Sequence, residues 1–127
     1  MEFTTLDEAR QGARPAEAAH FTGAAGIRPV HRSAEPHPVN VAVVRFEPGV
    51  RNHWHSHGGG QLLHVIEGEG WVQARGEPAR RVRPGESIST AAGEEHWHGA
   101  TRQGPMAHLA VTIGETSWLE PSDEPGD

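Results

Sequence analysis

The chain has 127 residues and a formal charge of −6, with sixteen glycines, ten prolines and ten histidines. That is one domain, long enough to bury a core without disulfide staples, and its acidic balance excludes the basic face that a nucleic-acid footprint needs. Cysteine, lysine and tyrosine are all absent, and the aspartates Asp7, Asp123 and Asp127 sit near the termini; thiol nucleophiles, Schiff bases, phenolic acids and a Ser-His-Asp triad are thereby set aside.

In chain order, residues 1–38 read as an N-terminal extension with a short strand that packs on the domain following it. The start, Met1 to Glu8, has no basic region and no apolar run, and no stretch approaches membrane-spanning length, so neither a membrane nor an export route is expected. A cysteine-free chain of this kind is expected in the cytoplasm. Thr5 to Gln11 predicts a helical turn capped by Thr5 or Asp7. Phe21 to Gly23 predicts a short strand, and Arg32 to Pro38, with Pro36 and Pro38, an extended linker. Strands follow at close spacing: Val39 to Phe46, Asn52 to His57, Gln61 to Ile66, Trp71 to Ala74, Arg80 to Val82, Ser87 to Thr90, His96 to Ala100 and Met106 to Ile113. Turns rich in glycine and proline separate them, and Gly58 to Gly60 reads as a flexible loop. Residues 39–119 form the domain proper, and residues 120–127 a disordered tail. Many short strands with no crossover helix indicate an all-β antiparallel sandwich or barrel.

The chemistry gathers in two segments, His53-Trp-His55-Ser-His57 leading to Gln61, and His96-Trp-His98. Residues i and i+2 of a strand share a face, so His55 and His57 can aim two imidazoles at one point. Gln61 returns on the next strand and His96 arrives on a third. Neutral imidazoles with one oxygen donor suit a divalent transition metal, and manganese, iron, zinc, nickel and cobalt all accept such a set. His53-Trp-His55 is a second His-X-His pair by spacing alone. His20, His31 and His37 read as surface or linker residues, His64 as structural, and Trp71 and Trp97 as barrel packing.

These spacings resemble the two motifs of the cupin superfamily. The first, G(X)5HXH(X)3-4E(X)6G, is met by Gly49, His55, His57, Gln61 and Gly68, with glutamine where glutamate is usual. The second, G(X)5PXG(X)2H(X)3N, is met by Gly85, Gly93 and His96, with Ala91 and Ala100 replacing proline and asparagine. The runs Trp54-His-Ser-His57, Gly68-Glu-Gly-Trp71-Val-Gln73, Gly93-Glu-Glu-His96-Trp-His98-Gly-Ala100 and His108-Leu-Ala110 are similar to one group of small cupins. That group includes manganese-dependent hydroxynitrile lyases and cupins associated with carboxymuconolactone-decarboxylase-like domains.

The resemblance implies a single-domain jelly-roll barrel (double-stranded β-helix) with one metal ion held by His55, His57, Gln61 and His96. His98, His108 and Thr22 would line the pocket as catalytic residues. Two considerations favour His55/His57 over His53/His55: the three-residue gap to Gln61, and Trp54 just before the pair. The function implied is a metal-dependent enzyme on a small carbonyl-related substrate, lyase-like, with cyanohydrin chemistry as one form. An iron-dependent dioxygenase and a non-enzymatic metal or small-ligand binder are the alternatives. The resemblance further implies a homodimer or homotetramer, paired through edge strands and N-terminal segments.

Overall fold

Thr5 and Glu8 form a reciprocal cap at the first helix. The Glu8 N–H donates to Thr5 Oγ1 at 3.2 Å, while the Thr5 hydroxyl donates to Glu8 Oε1 at 3.0 Å. This capping box opens the helix α1, Leu6–Gln11, as the sequence predicts. The computed structural model describes residues 1, 3–11, 14–34 and 38–125. The strands after α1 are β1 Arg14–Pro15, β2 Ala25–Ser33, β3 Val39–Phe46, β4 His55–His57, β5 Gln61–Glu67 and β6 Gly70–Ala74. They continue with β7 Arg80–Val82, β8 Ser87–Thr90, β9 His96–Ala100, β10 Met106–Ile113 and β11 Thr116–Trp118.

Every strand pairing is antiparallel, in two sheets ordered β1-β2-β3-β10-β5-β8 and β11-β4-β9-β6-β7. Alternation decides what lies between them. Val44 and Phe46 of β3, Leu63 and Val65 of β5, and Met106 and Ala110 of β10 point inward, meeting Val82 and Ala100 from the other sheet. The result is the expected all-β jelly-roll barrel, with one end of its interior given to histidine rather than to aliphatic side chains.

Several segments differ from the sequence reading. The stretch read as lead-in and linker contains β2, which pairs with β3 from Ala25↔Phe46 to Ser33↔Val39. Pro29 and a register shift between Pro29 and His31 break its alternation, and a bulged strand has no period-two pattern to read. Pro36 and His37 lie outside the described residues. Phe21 makes only an isolated bridge to Asn52. The Gly58–Gly60 loop is pinned: Gly58 N–H donates to Glu115 O at 2.9 Å, Gly59 N–H to Ile113 O at 2.7 Å and Gly60 N–H to His57 O at 3.2 Å.

The tail, expected to be disordered, packs along the barrel through residue 124. Glu120 pairs with Arg75 and Glu124 with Arg102, while the buried Ser122 hydroxyl donates to Asn52 O at 2.7 Å. A polar composition concealed these contacts, because each depends on a partner far away in sequence.

Gly68, in the turn between β5 and β6, has φ +71°, and a Cβ there would collide with Pro105 O. Gly68→Ala is therefore expected to cost at least about 2 kcal/mol, from left-handed strain plus the steric clash. Urea denaturation measures this, and an unchanged midpoint would refute it.

Candidate metal centre

Strand register brings the histidines together. His55 and His57 occupy the same face of β4, and His55 lies directly opposite His96 on β9. Gln61, the first residue of β5, reaches the same point from the other sheet. All four are buried. Ring centroids are 4.4 Å apart for His55–His96, 4.9 Å for His55–His57 and 5.4 Å for His57–His96. His98 joins them from β9. One ring nitrogen from each of His55, His96 and His98 lies within 4.8 Å of the others, a grouping that can hold a metal ion.

Hydrogen bonds behind the rings settle which nitrogens face inward. His55 Nδ1–H donates to His53 O at 2.7 Å and His96 Nδ1–H to Glu94 O at 2.9 Å. A carbonyl can only accept, so in both neutral rings Nε2 carries a lone pair. His57 Nδ1 is 2.8 Å from Thr116 Oγ1, leaving its Nε2 buried with no hydrogen-bond partner among the described residues. The Gln61 NH2 donates to Thr112 Oγ1 at 2.8 Å, which turns Oε1 to within 3.0 Å of His96 Nε2. Such outer partners are the usual means of aiming metal ligands.

The donors fit a cation on their own chemistry. Gln61 Oε1 and His96 Nε2 both present lone pairs, so at 3.0 Å they repel unless a positive charge lies beside them. Two ligands about 2.1 Å from a metal and at right angles are about 3 Å apart. Burial also keeps the rings neutral, as metal ligation requires. It lowers His55 to about 2, with the charge of His96 adding to the effect, and His57 to about 4. His96 is lowered by burial too, against the opposing bond from Glu94 O.

Behind this group lies a second pair. His108 Nε2 and His98 Nδ1 are 2.9 Å apart, both rings fully enclosed. Burial holds His108 at about 4 and His98 well below its ordinary value, the charge of His108 adding to the latter. Asn52 clamps His98 twice: its Oδ1 accepts from His98 N–H at 2.9 Å, and its Nδ2 lies 3.3 Å from each ring nitrogen. Phe46 meets His98 and His108 edge-on at 5.8 and 5.4 Å, and Trp118 lies 4.7 Å from His55.

The other sequence-predicted residues sort as follows. Thr22 is exposed and its hydroxyl accepts from Arg51 N–H at 2.8 Å. Its neighbour Phe21 is the one that packs inward, 5.7 Å from Phe46. His53 contributes its carbonyl to His55 rather than its ring to the cluster. His20 is not a plain surface residue, since it stacks on Trp118 at 4.2 Å. His31 is exposed, and His64 turns outward to Ser87 at 2.8 Å.

Asn52, Thr112, Thr116 and Ser122 carry no motif and went unread. Thr112 alone had a local signal, lying on the inward face of β10 two places beyond Ala110 and opposite Gln61.

A jelly-roll barrel with a buried histidine cluster at one end defines a cupin, and a cupin-domain model matches residues 42–112. The chain belongs to the cupin family. It is 40% identical over 111 residues, 87% of this chain and 83% of the relative, to an (R)-mandelonitrile lyase of Granulicella tundricola. In structure it is similar to a cupin-like protein of Thermotoga maritima, with TM-score 0.81 and 34% identity, covering 89% of this chain and 88% of that one. It also superposes on an acetylacetone dioxygenase of Acinetobacter johnsonii, TM-score 0.76 and 14% identity over 94% of this chain and 78% of the other. That last likeness is one of fold alone.

Proposed function

We propose that the protein is a metal-dependent lyase that cleaves cyanohydrins of small aldehydes, aromatic ones included, into carbonyl compound and hydrogen cyanide. In this reading His55, His57, Gln61 and His96 hold the metal, and the His98–His108 pair carries the proton. The observation that carries the ligand assignment is the buried, partnerless Nε2 of His57. His98, the competing third imidazole, is already engaged by His108 and Asn52. Its ring is also slightly more distant, 5.2 Å from His55 and 5.6 Å from His96 between centroids.

A bound divalent cation supplies Lewis acidity toward the substrate oxygen or nitrile, strengthened because Gln61 brings no negative charge. The rest falls to the chain. His98, neutral because buried, takes the hydroxyl proton. The C–CN bond then breaks with its electron pair leaving on cyanide, the C=O forms, and cyanide collects the proton as hydrogen cyanide. His108 and Asn52 act as positioning residues, fixing the ring of His98. Phe46, Phe21 and Trp118 give the site an aromatic side suited to an aryl substituent. The sequence relationship to a mandelonitrile lyase supports this substrate class.

The test is benzaldehyde release from mandelonitrile by protein loaded in turn with manganese, iron, zinc, nickel and cobalt, followed by ultraviolet absorbance. His98→Ala is expected to lower kcat about 10²–10⁴-fold while bound metal is unchanged. Absence of turnover with every metal and a panel of cyanohydrins would sink the lyase reading. Oxygen consumption by iron-loaded protein with a β-diketone would replace it with an oxygenase.

A further inference from the structure

Along the C-terminal segment, three side chains reach back toward the histidines in turn. Thr116 Oγ1 lies 2.8 Å from His57 Nδ1, and the Trp118 ring 4.7 Å from that of His55. Ser122 comes next, beyond β11. It is 4% exposed, whereas residues 119–121 and 123–124 on either side are all exposed. Burying a hydroxyl costs free energy unless it is bonded, so a residue there for packing alone would be apolar. The Ser122 hydroxyl donates to Asn52 O at 2.7 Å, and Ser122 O accepts from Arg51 Nη2 at 3.3 Å.

Asn52 is 2% exposed, and its other polar groups all meet His98. Its N–H donates to His98 O at 3.0 Å, and its Oδ1 accepts from His98 N–H at 2.9 Å. Its Nδ2 stands 3.3 Å from both ring nitrogens. An amide nitrogen can only donate, so it pairs with whichever ring nitrogen carries the lone pair. Placed evenly between the two, it tips toward one of them on a small displacement of Asn52. The choice has consequences, because Nδ1 is 2.9 Å from His108 Nε2. Nε2 of His98 acts as a base only while the ring proton stays on Nδ1 and is donated to His108.

We propose that Ser122 is a positioning residue for His98: by holding the Asn52 carbonyl it fixes the Asn52 amide, and with it the tautomer of the His98 ring. This rests on the assignment of His98 as the proton carrier, and it makes a component of the site out of a segment that reads as tail. Without the hydroxyl the Asn52 carbonyl loses a buried donor, and its peptide shifts to recover one.

Ser122→Ala tests the link through two readouts. Long-range proton–nitrogen NMR spectra of the full chain, metal-free and zinc-loaded, report which nitrogen of His98 is protonated. The wild type is expected to show one tautomer, Ser122→Ala a mixture, and Ser122→Thr, which keeps the hydroxyl, the wild-type pattern. With mandelonitrile, Ser122→Ala is expected to lower kcat about 10–100-fold, the loss typical of an outer hydrogen-bond partner, with KM and bound metal unchanged. Ser122→Thr should recover most of that loss. Ser117→Ala, exposed on the same segment, is expected to alter neither readout. Should Ser122→Ala fail to fold, Ser122→Cys keeps a weaker donor and is expected to move the tautomer part of the way. A mixture already present in the wild type, an unchanged tautomer in the folded alanine or cysteine variant, or an undiminished kcat in that variant would each overturn the proposal. A wild type without turnover would instead remove the lyase reading, and the NMR spectra would still decide whether Ser122 governs His98.

Discussion

Alanine in place of His96 is expected to empty the metal centre and abolish turnover together. His96 lies opposite His55 across the β4–β9 pair, with ring centroids 4.4 Å apart, and its Nε2 is 3.0 Å from the Gln61 oxygen, so its loss leaves the site open on two sides. Changing an outer partner of a ligand costs about 10–100-fold in metal affinity, and removing a ligand should exceed that. Elemental analysis after dialysis reads the loss directly.

The companion variants separate the two possible histidine trios. If His57 is a ligand, His57→Ala loses metal as His96→Ala does, whereas His98→Ala retains metal and loses activity. The reverse pattern would move the metal toward His98 and leave the proton-transfer scheme without its base. Gln61→Glu is expected to bind metal more tightly and turn over more slowly, since an added negative charge offsets the Lewis acidity that the amide preserves. In the metal-free protein the Gln61 amide is expected to turn over, placing its NH2 against His96 Nε2 and removing the repulsion between lone pairs.

The convergence of residues 55, 57, 61 and 96 was legible because each sits in a regular strand whose period fixes its face, with glycine turns setting the intervals. His98 was harder. Its place on the face of His96 was readable, but the Asn52 clamp and the His108 contact come from residues 46 and 10 positions away, and nothing local announces them. Strand β2 escaped because Pro29 and the bulge after it scramble the alternation that identifies a strand. The tail escaped for a different reason: Glu120, Ser122 and Glu124 look solvated until Arg75, Asn52 and Arg102 are brought beside them. Thr22 is placed at the pocket by resemblance alone; its hydroxyl accepts from the Arg51 N–H beside Phe21.

Mild acid is expected to destabilise the metal-free protein steeply. His57 and His108 are held at about 4 by burial, against 6.5 ordinarily, and His55 at about 2. As pH falls through 6.5 the unfolded chain takes up these protons and the folded one does not, so protonation favours unfolding. The contribution is complete above about pH 6.5. It is lost between there and about 4 for His57 and His108, and continues to be lost below 4 for His55. Each such group changes stability by about 1.4 kcal/mol per pH unit within its window. Two together can remove several kcal/mol, a large share of the roughly 5–15 kcal/mol that holds a domain folded. Glu120 and Glu124, lowered from 4.5 by Arg75 and Arg102, act only below that value. Urea midpoints of metal-free protein should therefore fall continuously from pH 6.5 to 4.5, and saturating metal should displace the fall to lower pH by binding the folded state. Midpoints that stay level across this interval would mean that the buried rings accept protons freely, which their enclosure does not allow.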